Sequence, residues 1–301
     1  MKKKIFLIVS ISAVMTCIPC MLLSSCSKDD DNQAIDTTET AVQEARAAAT
    51  TTDPSTLCPD NEHPHLIDLG IGVKWLCCNV GADHPAGYGN YFAWGESKQK
   101  IDYWDERIDK AYKAYHSQYS WDSYIFYEAG TARNIGDDIS GSKTVTRDIQ
   151  YIMDDGKTKG TKQVKDSLDA AFYAWDKNYK ALDKYKDNPW RMPKLSDVEA
   201  LLAQCSSEWT MVNNIVGRKF TGPNGNSIFL PASGRFVNSS IVNKDAEGYY
   251  WTATIRRGEG SNPSENFGNR YAHYLCVSYK TAEDYYYWER YIGRTIRGVS
   301  E

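Results

Sequence analysis

The side chains able to do chemistry are few and scattered. Histidine occurs five times, at 63, 65, 84, 116 and 273, and His63-Pro64-His65 is the one close pair. Two imidazoles suit zinc or copper. Read as a loop pair without a companion set of ligands, they belong to the surface, and no metal is expected. The cysteines beyond residue 25 are Cys26, Cys58, Cys77, Cys78, Cys205 and Cys276, with no Cys-x-x-Cys pair after residue 26. A disulfide such as Cys78 with Cys205 is allowed, although sequence leaves the connectivity open. Gly217, Gly222 and Gly225 make no phosphate loop, because no Lys-Ser/Thr follows them. Asp137-Asp138 and Asp154-Asp155 lack the alternating oxygen ligands of a calcium loop. No catalytic residue and no cofactor emerges, so an enzyme is not expected.

The aromatic residues carry the stronger signal. The chain has 21 Tyr and nine Trp. Trp104, Tyr119 and Trp121, with Tyr124 and Tyr127, crowd one irregular stretch, and Tyr285-Tyr286-Tyr287-Trp288 form a run. Successive residues of a strand face opposite sides, so part of that run must be exposed. Exposed rings stack on sugars or anchor a protein partner at small entropic cost. The competing reading is that the same rings pack the core. The candidate ligand-binding set is therefore Trp104, Tyr119, Trp121, Tyr285, Tyr287 and Trp288.

The N-terminus addresses location. Lys2, Lys3 and Lys4 precede an apolar stretch from Ile5 to Leu23, which ends in Leu23-Ser24-Ser25-Cys26. A charged start, an apolar run and small residues before a processing point describe a secretory signal peptide over 1–25. The Leu-Ser-Ser-Cys end resembles the lipobox of bacterial lipoproteins, which implies lipidation at Cys26 and membrane anchoring. A retained signal anchor is the alternative, but Ser10, Ser12, Thr16 and Pro19 weaken a permanent span. Ser27-Lys28-Asp29-Asp30-Asp31 resembles the surface-export signal of Bacteroidetes lipoproteins, implying display on the outer membrane. Removing 1–25 removes three lysines and no acid, so the net charge moves from -4 to -7. That balance argues against nucleic acid as a partner. Residues 26–60, rich in Asp, Thr, Ala and Gln, read as a flexible tether.

The elements that must position any site lie in 61–301. His65–Gly70 and Val73–Leu76 read as a hairpin around a Gly turn, and 90–95 as a further strand. A variable insertion covers about 97–187, and Val164, Leu168, Phe172, Trp175, Tyr179 and Leu182 place a helix over 163–184. Ser196-Asp197-Val198-Glu199 has capping-box spacing, and Val198, Leu201, Leu202 and Cys205 share one helical face. Gly222-Pro223-Asn224-Gly225-Asn226 between 218–221 and 227–230 is a hairpin signal. Strands follow at 248–254, 272–279 and 294–299. Two main helices with short antiparallel strands and long irregular loops give an α+β domain.

Asp68-Leu69-Gly70, Val73-Lys74-Trp75, Cys78-Asn79-Val80-Gly81-Ala82 and Tyr91-Phe92-Ala93-Trp94-Gly95-Glu96 open a series of motifs. Trp190-Arg191-Met192-Pro193, the 222–226 turn with Phe229-Leu230-Pro231-Ala232, Tyr250-Trp251-Thr252 and Gly293-Arg294 through Arg297 continue it. Together they resemble the Fibrobacter succinogenes major paralogous domain, similar in fold to C-type-lectin-like domains and formylglycine-generating enzymes. The resemblance spans about 65–300, weakest over 97–187. It implies a compact α+β domain with paired N- and C-terminal strands, and no particular activity. The copper-binding cysteine pair of formylglycine-generating enzymes has no counterpart motif at Cys205 or Cys276, and the sugar-binding Glu-Pro-Asn and Trp-Asn-Asp motifs of calcium-dependent lectins are absent. The expected function is a non-enzymatic, surface-anchored module that binds a glycan or protein. A structural subunit of a cell-surface complex or filament is the alternative, and oligomeric state is left open.

Overall fold

A computed structural model describes residues 39–100, 118–128, 131–152, 159–257, 269–280 and 284–301. The stretch 1–25 expected to be a signal peptide, Cys26 and Trp104 lie outside them. The chain is mixed α+β, mostly strands gathered in small sheets. Helix α1 (Glu39–Ala47) leads into β1 (Thr50–Thr51). Strands β2 (Leu66–Asp68) and β3 (Lys74–Leu76) form the expected hairpin, with Ile67 opposite Trp75. Two further hairpins follow, β4 (Tyr127–Glu128) with β5 (Thr131–Ala132), and β6 (Thr144–Ile152) with β7 (Lys159–Ser167). Helix α2 (Ala170–Ala174) runs into a π-turn over Trp175–Tyr179, and α3 spans Leu195–Gln204.

The C-terminal part is strand-rich. Strands β8 (Ser206–Val212), β9 (Ile215–Thr221) and β10 (Ser227–Pro231) form a meander, and β1 adds parallel to β8. The β9–β10 turn is the one read from sequence: Gly225 sits at φ +86°, and Gly222 N–H donates to Asn226 O at 2.9 Å. A small ribbon, β11 (Arg235–Val237) with β12 (Ser240–Val242), precedes the sheet of β13 (Glu247–Ile255), β14 (Tyr271–Ser278) and β15 (Asp284–Glu289). Strand β16 (Val299–Ser300) pairs with β3, so the two ends of the domain share a sheet. The stretches 90–95 and 294–298 form isolated bridges and not full strands: Phe92 pairs with Arg294 and Thr295 with Tyr250, and Trp94-Gly95 is a turn.

Three expectations are overturned. The tether does not extend to residue 60, because Ala45 is fully buried against Trp209, Val216 and Ala232. The indole Nε1 of Trp209 also donates to Ala45 O at 2.8 Å. The segment lacks rings of its own, but the meander supplies the apolar surface it needs. The helix over 163–184 starts only at Ala170. Residues 159–167 are strand β7, in a nine-residue register with β6 that sets Val164 opposite Arg147. Cross-strand hydrogen bonding therefore outweighs the helical spacing of Val164 and Leu168. The start of α3 also shifts: the Asp197 carboxylate accepts from Lys194 N–H at 2.8 Å, and the Ser196–Glu199 pair does not form the cap. Its apolar face is as expected, with Val198 and Leu201 buried and Leu202 and Cys205 packed beside them.

Three arginines near the C-terminus hold the interior together. Arg290 is fully buried, donates from Nε to Tyr124 Oη at 3.0 Å and lies over Trp94. Arg294 stacks on Tyr274 and Trp251, at 3.5 and 4.4 Å from the ring centroids. Arg297 donates to the carbonyls of Leu76, Cys77 and Phe229 and to Asn79 Oδ1, all at 2.6–3.0 Å.

Candidate functional site

The candidate aromatics separate by strand parity and packing. Tyr119 is buried on Phe236, so it is a core ring and not a ligand contact. Trp121 is half-buried among Tyr124, Tyr127 and Tyr291, with the Arg270 guanidinium 4.7 Å from its centroid. Trp288 packs half-buried against the main core, as does Tyr286. Tyr287 points the other way and is 47% exposed, beside Tyr271 and His273. Trp104 and the side chain of Tyr285 lie outside the described residues. Among the described residues, Tyr119, Trp121, Tyr287 and Trp288 do not line the cleft at Trp190.

A cleft forms elsewhere, with a volume of about 390 Å³, within the range of roughly 300–1,000 Å³ typical of small-ligand sites. Its apolar wall is Phe92, Tyr173, Tyr179 and Trp190. Tyr179 and Trp190 lie 4.4 Å apart between centroids at 40°, forming a tilted plate braced by Tyr185. Trp190 is nearly fully buried, and its indole N–H has no hydrogen-bond partner among the described residues. The polar groups lining the cleft are Asn90, Lys98, Gln99 and the exposed Asn178. Lys98 Nζ sits 5.5 Å from the Tyr173 centroid.

Local sequence explains how these groups are held. Gly81 is at φ +84°, and a Cβ there would meet the Asn90 side chain at 2.4 Å, so only glycine lets Asn90 lie in the wall. Asn79 is fixed between Tyr88 O and the Arg297 guanidinium. Tyr173 is placed by α2, whose N-terminus is capped by Asp169 accepting from Phe172 N–H at 2.9 Å. The other Asp169 oxygen accepts from Gly141 N–H and Met192 N–H at 2.7 and 2.8 Å, so one carboxylate ties the cleft helix to both flanking loops. Burial pushes this carboxyl up to about 6 despite those donors.

Cys78 also lines the cleft. It is a free thiol, as is Cys205, so the pairing of these two does not form. Cys205 packs on the second core beside α3, whereas Cys78 Sγ lies 3.2 Å from Cys77 Sγ. Cys77 Sγ in turn accepts from His65 N–H at 3.0 Å and is 3.5 Å from His63 Nδ1. Cys58 completes the group: its sulfur, that of Cys77 and His63 Nδ1 all lie within 4.8 Å of one another. Hydrogen bonds from Cys58 and Cys78 hold the Cys77 thiol far below its usual range, and the same contacts, with burial, push Cys58 and Cys78 up. His65 is a bystander to this cluster through its ring, which pairs with Asp60 at 2.9 Å. The reading of His63 as an isolated surface group is therefore corrected. Its companions come from 5 residues before and 14 after, and only the β2–β3 hairpin brings them together. The doublet Cys77-Cys78 close to His63-Pro64-His65 was the available signal.

The chain matches no protein-family model, no curated protein and no solved structure.

Proposed function

We propose that this chain is a non-enzymatic binding module, lipid-anchored at Cys26 and displayed on the outer membrane, which takes a sugar residue of a glycan in the cleft between Trp190 and Asn90. The observation that carries this reading is half-buried Tyr179, backed by buried Trp190 at 4.4 Å, in a cleft also lined by the carboxamides Asn90, Gln99 and Asn178. A sugar ring has an apolar face to stack on Tyr179 and hydroxyls to bond to the carboxamides. The domain is C-type-lectin-like in this reading, supported by the shared β3–β16 sheet at its two ends and by the long loops between. The membrane anchor rests on the signal segment and on Leu23-Ser24-Ser25-Cys26.

The test is a glycan-array screen of the full chain, followed by titration of the best binder. Tyr179→Ala weakens binding about tenfold, or about 1.4 kcal/mol, while Trp288→Ala and Trp121→Ala leave it nearly unchanged. A blank array from folded protein removes the glycan reading. In cells, metabolic labelling with a fatty-acid analogue marks the wild-type chain and not Cys26→Ala; equal labelling of both defeats the anchor. A second reading, a subunit of a surface assembly, is favoured by β15, which among the described residues is the outer strand of its sheet and carries exposed Tyr287.

A further inference from the structure

We infer that Cys58, His63, Cys77 and Cys78 form a zinc site that clamps the N-terminal arm to the first hairpin. Tetrahedral zinc with Zn–S near 2.3 Å and Zn–N near 2.0 Å sets sulfurs roughly 3.7 Å apart and a sulfur and nitrogen roughly 3.5 Å apart. The observed separations of 3.2 Å for Cys77–Cys78 and 3.5 Å for Cys77–His63 lie close to these values, and Cys78 Sγ must close further on Cys58 and His63 to complete the tetrahedron. Cys58 Sγ already lies inside the same group. Two sulfurs at 3.2 Å are unbonded, since a disulfide brings them to about 2.05 Å.

The surroundings match a thiolate-rich cation site. Three thiolates and one neutral imidazole around Zn²⁺ leave one negative charge. Arg297, fully buried, supplies the balancing positive charge: it interacts electrostatically with all three cysteines, and its guanidinium donates to Cys77 O at 2.6 Å. His65 N–H gives Cys77 Sγ the backbone hydrogen bond that orients a ligating sulfur. Soft sulfur donors with one imidazole select zinc over calcium or magnesium. Loading displaces to solvent the protons that the ligand thiols still carry and involves no change of oxidation state. The ligands span the end of the N-terminal arm (Cys58), the loop before β2 (His63) and the end of β3 (Cys77, Cys78), so zinc binding couples directly to folding. The site stands independently of the sugar reading, although Cys78 also lines the cleft.

The experiment uses the full chain, purified with its thiols reduced and titrated with zinc, then with cobalt as a spectroscopic probe. The expected result is one bound equivalent by elemental analysis, a thiolate-to-cobalt charge-transfer band, and a melting temperature that rises with free zinc. Cys77→Ser loses the bound metal, His63→Ala weakens it beyond the ~10–100-fold cost of an outer-shell change, and Cys205→Ser retains it. If Cys77→Ser fails to fold by circular dichroism, His63→Ala carries the comparison, because that half-buried ring sits at the rim. Folded, reduced protein that takes up no zinc overturns the inference. So does uptake that neither variant alters, or a Cys58–Cys77 disulfide whose reduction leaves no metal-binding capacity.

Discussion

Asp169 concentrates more of the local order than any other single carboxylate near the cleft, since its two oxygens receive three backbone N–H donors from separate segments. Burial is the largest influence on it and raises its folded pKa to about 6, above the ordinary 3.8. A folded pKa above the unfolded one means a contribution fully present below about pH 4 and lost as pH rises through 6. The shift corresponds to about 3 kcal/mol at most. Urea unfolding at pH 4.5 and 7.5 therefore shows wild type losing stability on the alkaline side, while Asp169→Asn removes that part of the slope. At pH 4.5 the variant is about 1–3 kcal/mol less stable, because one amide oxygen cannot serve all three donors. An identical slope in both proteins refutes this account.

At the scale of elements, α1 and β1 are the least expected additions. Their attachment includes the small buried residue Ala45, an indole hydrogen bond, the Tyr279 hydroxyl on Glu44, Arg46 on Asn214 O, Thr52 on Thr210, and the two-residue parallel pairing of β1 with β8. Ala45→Leu has no room beside Trp209 and costs about 1–3 kcal/mol through overpacking. Hydrogen exchange locates that cost: amides of 39–52 lose protection in the variant, whereas those of β13 and β14 keep it. Loss of protection across the whole chain would mean that the arm is part of the central fold. The β6–β7 ladder teaches a related lesson. Nine paired residues override a helical pattern that shares only one apolar position with the ladder, Val164.

For the molecule as a whole, Arg297 is the clasp between its ends. One guanidinium bonds β3, the loop after it and the middle of β10, from a position two residues before β16. Arg297→Met leaves three carbonyls and an amide oxygen buried without that donor, costing about 4 kcal/mol or more. Arg297→Lys recovers only part, because a point-like ammonium cannot span four acceptors. Calorimetry orders the melting temperatures as wild type, then Lys, then Met; a Met variant as stable as wild type would show that the ends are held by the β3–β16 pairing alone.

Sequence by itself determined the features whose causes are local. The 222–226 turn followed from Gly and Asn tolerance of positive φ, the face of α3 from its spacing, and the 66–76 hairpin from two short apolar runs around glycines. The inward and outward alternation of 286–288 followed from strand parity once the strand was placed. Tertiary structure alone decided the rest. The cleft joins residues near 80–99 with 170–190, and the thiol cluster joins 58 and 63 with 77 and 78. Such sites depend on where the chain returns, and no spacing between neighbours encodes that. Burial is likewise a property of partners: Ala45 is buried because Trp209 lies over it, and Arg294 is buried because three rings surround it.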